Sequence, residues 1–307
     1  MNIFITGIAG FIGSTLANKL NNKGNIKVFG IDNLFGGNKK NIPKNIKWKK
    51  VDIRNLKNFK NIPKKFDIVI HTAAQTSGEK SFSIPSYDFE TNVLGTCNVY
   101  HFAKMCNAKL MINLSSMSVY GSQKKTKFVN EKLNPEPVSA YGKSKLTAEK
   151  MLEVLFEQHQ IPVINLRLFN VYGPGQNLNN LEQGMVSIYL YYLLYKKKIL
   201  VKGSLNRIRD FIYIDDVLNA IYFIIKKKPY INATFNISSK TKTNVKSLIR
   251  LLKKNFKIEK NIVFGKKTPG DIFGFGGDND KFRKKYKWRP IFSINEGIKK
   301  LSDHYQI

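Results

Sequence analysis

The chain has 307 residues, of which 42% are hydrophobic and 24% charged, which is enough apolar material for one large α/β domain with a smaller one attached. Its formal net charge of +31 rests on 45 lysines spread along the chain and only seven arginines, which argues against a specific nucleic-acid reader built on guanidinium forks. Two cysteines, Cys97 and Cys106, with no CxxC and no histidine cluster, argue against a disulfide framework or a metal site and favour a reducing cytoplasm, and the longest apolar stretch, Met185 to Tyr195, is too short to span a bilayer.

The first predicted strand, Asn2 to Ile5, runs into Thr6-Gly7-Ile8-Ala9-Gly10-Phe11-Ile12-Gly13, and a helix follows from Phe11 to Leu20. No basic segment precedes this apolar start, so it reads as a strand and not as a signal peptide. Glycines at such a turn let the backbone approach a pyrophosphate, whose charge the helix N-terminus favours. A second apolar run, Ile26 to Ile31, ends in Asp32, nineteen residues beyond Gly13, where an acid can accept hydrogen bonds from both ribose hydroxyls of an adenosine. That carboxylate repels a 2′-phosphate, so the expected cofactor is NAD and not NADP.

Further strands are expected at Ile46 to Asp52, Phe66 to His71, Lys109 to Ser115 and Val163 to Phe169, alternating with helices at Asp88 to Cys106 and Ala140 to His159. The alternation predicts a Rossmann-type, doubly wound parallel sheet. The last helix follows Pro135 and Pro137 and stops at Gln160-Ile161-Pro162, as a proline boundary requires. Beyond Asn170 the pattern loosens into turns and short mixed elements. The expected division is therefore residues 1–170 as the dinucleotide domain and 171–307 as a smaller mixed α/β substrate domain, with segments near 209–237 returning to the first. Tyr189, Tyr192 and Tyr195 recur at helical spacing and read as a packing face. Lys196 to Lys198 and Lys226 to Lys228 read as cations at helix C-termini.

Three residues carry the expected chemistry. Tyr141 and Lys145 are four apart near the start of a helix, so both project from one face. An ammonium beside the phenol would lower its pKa and make Tyr141 a base near neutral pH, and the same lysine could hold a nicotinamide ribose. Ser116 lies at the carboxyl edge of the Lys109 to Ser115 strand, where ligands bind in such sheets, and its hydroxyl could hold the reacting oxygen.

With these residues the chain resembles the extended short-chain dehydrogenases/reductases of the NAD-dependent sugar-nucleotide epimerase/dehydratase family. The likeness runs nearly end to end. It includes Asp32-Asn33-Leu34, Val51-Asp52-Ile53-Arg54, His71-Thr72-Ala73-Ala74-Gln75, Thr91-Asn92-Val93-Leu94-Gly95-Thr96, Ser115 to Gly121, Tyr141 to Lys145, Leu166 to Gly175, Arg209 to Val217 and Pro269-Gly270-Asp271. It implies an NAD-dependent nucleotide-sugar isomerase acting most simply at C4 of a UDP-hexose, with Ser116, Tyr141 and Lys145 catalytic. Cofactor contacts are implied at Gly7, Gly10, Phe11, Ile12, Gly13, Asp32, Asn33, Asp52, Ile53, Ala73, Ala74, Gln75, Asn92, Tyr141 and Lys145. Substrate contacts are implied at Ser116, Asn170, Arg209 and Asp271. It also implies a homodimer through the helices around Asp88 to Cys106 and Ala140 to His159.

Two departures bear on the branch. Relatives that eliminate water carry an Asp-Glu pair directly after the position of Ser116, and those that decarboxylate a glucuronyl sugar carry a glutamate at the position of Ser118. Here the residues are Met117 and Ser118, neither of which shuttles a proton as a carboxyl does. Relatives often have arginine where this chain has Thr268, with Lys267 as a possible substitute, and Phe275 stands where acceptors of N-acetylated sugars have a small residue. A 4,6-dehydratase, a reductase, a C2 epimerase, or a non-catalytic NAD- or RNA-binding protein remain the alternatives.

Overall fold

The computed structural model describes residues 1–123, 128–267 and 270–305. Seven strands form one parallel sheet in the order Ala233–Ile237, Val163–Leu168, Leu110–Ser116, Ile68–His71, Asn2–Thr6, Lys27–Asp32, Lys47–Lys50. Alternation of side chains explains why both faces are apolar. Ile3, Ile5, Ile68, Ile70, Leu110 and Ile112 pack into the core on one face. Phe4, Val69 and Met111 pack on the other, with Phe102, Phe59 and Leu152. Every residue of Ile68–His71 and of Leu110–Ser116 is buried, as a doubly wound sheet demands.

Strand order reverses between Asn2–Thr6 and Ile68–His71, which opens a crevice at the carboxyl ends of those two strands. The strand Ala233–Ile237 returns to the edge of this sheet beside Val163–Leu168, and the helix Ile214–Lys226 packs against the helix Phe11–Asn21. Beside this sheet stand the helix Met185–Tyr195 and small strand pairs, among them Ile199–Lys202 with Ile262–Gly265, Ile208–Arg209 with Thr243–Asn244, and Phe211–Tyr213 with Asn170–Tyr172.

The expected helices differ in one place. Asp88 to Cys106 lies in one continuous helical run that starts earlier and carries a π-helical stretch: Pro85–Phe89, Glu90–Leu94 in π form, and Gly95–Met105. Proline at the first turn starts the segment earlier than periodicity suggested, and the wide turn accommodates Asn92, whose side chain is tied to three partners described below. Ala140–His159 has the expected limits: Ser139 accepts the Gly142 N–H at 3.0 Å as its cap, and Gln160 closes it in the left-handed region at φ 60°. The tyrosine stripe is not a uniform packing face. Tyr189 is buried, Tyr192 half-buried, and Tyr195, at the last turn beyond the reach of the core, is 60% exposed.

Candidate active site

The first strand ends at Thr6 and the chain turns at Gly7, whose φ of +72° is a left-handed conformation, against the backbone of Ala73. A Cβ on Gly7 would sit 2.6 Å from the Ala73 nitrogen, and one on Gly13 would sit 2.1 Å from the Gly7 carbonyl oxygen. A Cβ on Gly10 would meet only that same oxygen, at 3.3 Å. Gly10 begins the helix with no side-chain cap, which leaves the N–H groups of the first turn for a ligand anion. Buried Asp32 accepts the Ala9 N–H at 2.9 Å on one carboxylate oxygen and the Leu34 N–H at 2.7 Å on the other. Each oxygen keeps a second lone pair for a diol. Gly7, Gly10, Gly13 and Asp32 thus fit the pyrophosphate and ribose of a dinucleotide.

Next to Asp32, a groove is lined by Asn33, Phe35, Val51, Asp52, Arg54 and Tyr87. Burial works to raise the Asp52 carboxyl, but the Arg54 guanidinium and Asn33 amide hold it below the usual range. Arg54 lies over the Tyr87 ring at 4.8 Å, and Phe35 packs on the same ring at 4.8 Å. Ile53, between the lining residues Asp52 and Arg54, is buried, and its carbonyl accepts the Asn98 amide. Phe35 and Tyr87 escaped the sequence reading because no spacing rule brings a loop and a distant short helix together.

Ala74 lines the main cavity, and Ala73 supplies the backbone that Gly7 abuts. The resemblance also implies cofactor contacts at Gln75 and Asn92. Both are buried, and their side chains bind protein. The Gln75 amide donates to Asp88 at 2.6 Å and to the Ser77 carbonyl at 2.9 Å. The Asn92 amide donates to the Gln75 carbonyl, to Asp88 and to Ser144. They fix the loop after the fourth strand to the helix that carries Tyr141.

Ser116 is the last residue of its strand and caps the turn Met117–Tyr120, accepting the Ser118 N–H at 3.1 Å. Gly142 allows the start of the helix Ala140–His159 to lie against this turn: a Cβ there would be 2.5 Å from the Ser118 carbonyl oxygen. Ser116, Tyr141 and Lys145 consequently line one cavity of about 710 Å³, together with Phe11 and Ile12 of the glycine turn.

The electrostatics correct one expectation. The buried Lys145 ammonium donates to the Leu114 carbonyl at 2.7 Å, and it is not among the groups that shift the phenol. Burial pushes the Tyr141 phenol up to about 12, outweighing the Ser116 hydroxyl that lowers it, while the Asp88 carboxylate raises it further. Burial also pulls Lys145 down to about 8, against the opposing carboxylates of Asp88 and Glu149.

Asn170 lines the cavity with its amide nitrogen donating to the Asp210 carbonyl at 3.0 Å. Arg209 and Asp271 line it as an ion pair at 2.7 Å. Arg207, absent from the sequence reading, is the second guanidinium on the same carboxylate, and Tyr189 and Gln183 join the wall. Arg207 precedes Arg209 by two, the strand period that places two side chains on one face, and that signal was available. Thr268 lies outside the described residues, and Lys267 is exposed. Phe275 is buried against Tyr120 and Phe169, behind the cavity and not on its surface, so its bulk does not bear directly on sugar size.

The sequence profile of the "NAD dependent epimerase/dehydratase family" matches residues 3–238. A UDP-glucose 4-epimerase of Mycolicibacterium smegmatis is 28% identical over 319 aligned positions, covering 100% of this chain and 99% of that one. Among solved structures, the UDP-glucose 4-epimerase of Thermotoga maritima, crystallised with UDP-glucose, superposes with a TM-score of 0.94 at 31% identity, covering 100% of this chain and 99% of that one. That of Thermus thermophilus, crystallised with NAD, gives 0.92 at 26% identity with the same coverage. With a family profile spanning most of its length and a sheet whose crevice carries the glycine turn, Asp32, Ser116, Tyr141 and Lys145, the chain belongs to the NAD-dependent epimerase/dehydratase family.

Proposed function

We propose that the protein interconverts the C4 epimers of a UDP-hexose. The observation that carries this reading is the convergence of Ser116, Tyr141 and Lys145 with the helix start at Phe11 and Ile12 on one cavity whose far wall holds two arginines. When bound, oxidised NAD supplies a hydride acceptor and a positive charge. Gly7, Gly10 and Gly13 admit its pyrophosphate, and Asp32 holds the adenosine ribose. Tyr141 takes the proton of the sugar C4 hydroxyl while the bound cofactor would accept the C4 hydride, and both return after the keto sugar has turned over, so no net redox change results. Ser116 holds the reacting oxygen, and Lys145 anchors the nicotinamide ribose and keeps an ammonium near the phenol. In this reading residues 1–170, with the returning segment 209–237, hold the cofactor, and the rest forms the substrate wall.

The cavity chemistry supports inversion over elimination. Met117 and Ser118 occupy the positions after Ser116, and neither is an acid. Of the carboxylates on the wall, Glu79 is paired with Lys202 at 3.1 Å and Asp271 with two guanidiniums, while Glu182 is exposed. Proton NMR of UDP-glucose incubated with the purified protein is expected to show UDP-galactose accumulating to equilibrium. A 4-keto-6-deoxy sugar as the product would overturn the reading in favour of a dehydratase.

A homodimer in a reducing cytoplasm completes the proposal. Leu94 and Met105, eleven residues and so three turns apart, are exposed on one helical segment, and Met151 and Val154 are exposed on its neighbour. No described helix is long and apolar enough to cross a membrane. Sedimentation is expected to give twice the chain's mass, and Leu94→Lys with Val154→Lys to give the single chain. A wild-type monomer at micromolar concentration would count against the pairing.

A further inference from the structure

Asp88, on the short helix Pro85–Phe89, is 1% exposed. Its hydrogen-bond partners among the described residues are three neutral donors: the Gln75 amide at 2.6 Å and the Asn92 amide at 3.2 Å on one carboxylate oxygen, and the buried Ser144 hydroxyl on the other. The Gln75 amide is fixed with its nitrogen toward Asp88, because its oxygen accepts the Ser77 N–H at 2.6 Å. Donors alone suit an ionised carboxylate, which only accepts. A buried carboxylate with no cation in contact is costly, so the balancing charge must come from farther off.

Ser144 ties this charge to the acid–base residues. It stands three residues after Tyr141 and one before Lys145, and its hydroxyl also lies 3.0 Å from the Tyr141 carbonyl. Two carboxylates oppose the loss of charge at buried Lys145. Glu149, the weaker, is taken up by Arg167 at 2.7 Å and by Ser115, whereas Asp88, the stronger, has no guanidinium. The other charged groups on elements around the helix Ala140–His159 are engaged elsewhere. Glu90 pairs with Arg54 at 3.2 Å, Lys80 lies over the Phe35 ring, and His71 is held neutral by burial between Thr6 and Thr96. The Tyr120 phenol donates to Asn236, the Tyr87 ring carries Arg54, His101 lies 6.1 Å from the His159 ring at the far end of the helix, and Lys104 is exposed.

We propose that Asp88 is a positioning residue for the pair of Tyr141 and Lys145: it is the buried counter-charge of the Lys145 ammonium, tethered to their helix through Ser144. The proposal rests on the reading of Tyr141 and Lys145 as the acid–base pair. The Asp88 carboxylate favours a charged Lys145 and disfavours a Tyr141 phenolate, so it raises both groups. Removing it lowers both. A pH–rate profile bounded by phenol ionisation on the acid side and by ammonium loss on the alkaline side then moves as a whole to lower pH. Loss of packing alone lowers the height of the profile and leaves its limbs in place.

The test follows the Lys145 side chain by NMR of protein carrying carbon-labelled lysine, without substrate, with the resonance assigned by its loss in Lys145→Arg. It also measures the pH dependence of UDP-glucose turnover, and both readouts are taken on wild type, Asp88→Asn and Ser144→Ala. Lys145 titrates at about 8 in wild type. Asp88→Asn is expected to lower that titration by about one pH unit and to move both limbs of the profile the same way. Ser144→Ala, which cuts the tether and leaves the charge, is expected to lower kcat while Lys145 titrates as in wild type. A lower kcat in Asp88→Asn with the Lys145 titration and both limbs unmoved would reduce Asp88 to a structural role and overturn the proposal, as would a Ser144→Ala shift equal to that of Asp88→Asn. Asp88→Ser carries the same expectation where Asp88→Asn fails to fold. Wild type supplies a check that needs no variant at Asp88: a carboxyl carbon resonance showing Asp88 protonated at neutral pH overturns the proposal. The lysine titration needs no substrate, so it decides the inference even where UDP-glucose is not turned over, an outcome that sinks the epimerase reading alone.

Discussion

Tyr141→Phe is expected to lower kcat by roughly a thousandfold while the protein keeps its bound dinucleotide, because the substitution removes one oxygen and no ring volume. Tyr141 is the titratable hydroxyl on the cavity that shares a helix face with Lys145 and lies beside Ser116. Burial holds the Tyr141 phenol up at about 12. A phenol held that high is almost wholly protonated at pH 7, so ionisation must be driven by charge arriving in the site. The positive charge of oxidised NAD and the Lys145 ammonium both act in that direction. Lys145 stays charged only below about 8, so its contribution fades as pH rises through that value. The measurements are steady-state turnover of UDP-glucose and the dinucleotide released on denaturation. A phenylalanine variant that turns over at the wild-type rate would remove Tyr141 from the mechanism.

How much of this was legible beforehand follows from the range of the interactions. The parallel sheet, the turn at Gly7 to Gly13 and the helix limits at Ala140 and His159 depend on near neighbours, so periodicity, glycine and proline reveal them. The Lys145 partner is the Leu114 carbonyl and the Tyr141 environment is set by burial and Asp88, none of which spacing along a helix can report. Gln75 and Asn92 were assigned by correspondence to the cofactor, and the donation of their amides to Asp88, Ser77 and Ser144 spans three segments. The two-residue spacing of Arg207 and Arg209 is readable along the chain, but the Asp271 carboxylate that both meet, sixty-four residues from Arg207, is not.

Gly13→Ala and Gly10→Ala are expected to separate folding from cofactor binding. In a helix interior an incidental glycine becomes about 1 kcal/mol more favourable on replacement by alanine, so stabilisation is the result if Gly13 has no special role. Its new Cβ, however, would lie 2.1 Å from the Gly7 carbonyl oxygen and 2.8 Å from the Thr72 hydroxyl. The first is a backbone atom that cannot swing aside, and Gly7 is itself held by its N–H to the Ile31 carbonyl at 2.8 Å. The strand end and the helix must therefore part, at a cost of about 3 kcal/mol, which overrides the propensity gain and lowers the apo-protein's unfolding midpoint. Gly10 sits before the helix in extended backbone, where no such propensity gain applies, and its Cβ would meet only one atom, at 3.3 Å. Its replacement should leave the apo-protein within about 1 kcal/mol of wild type, yet put a methyl where the pyrophosphate must approach, weakening NAD at least ~10-fold. Thermal unfolding of the cofactor-stripped variants and NAD titration of each provide the two readouts. Gly13→Ala melting above wild type, or Gly10→Ala binding NAD as well as wild type, would show that this turn is not the cradle.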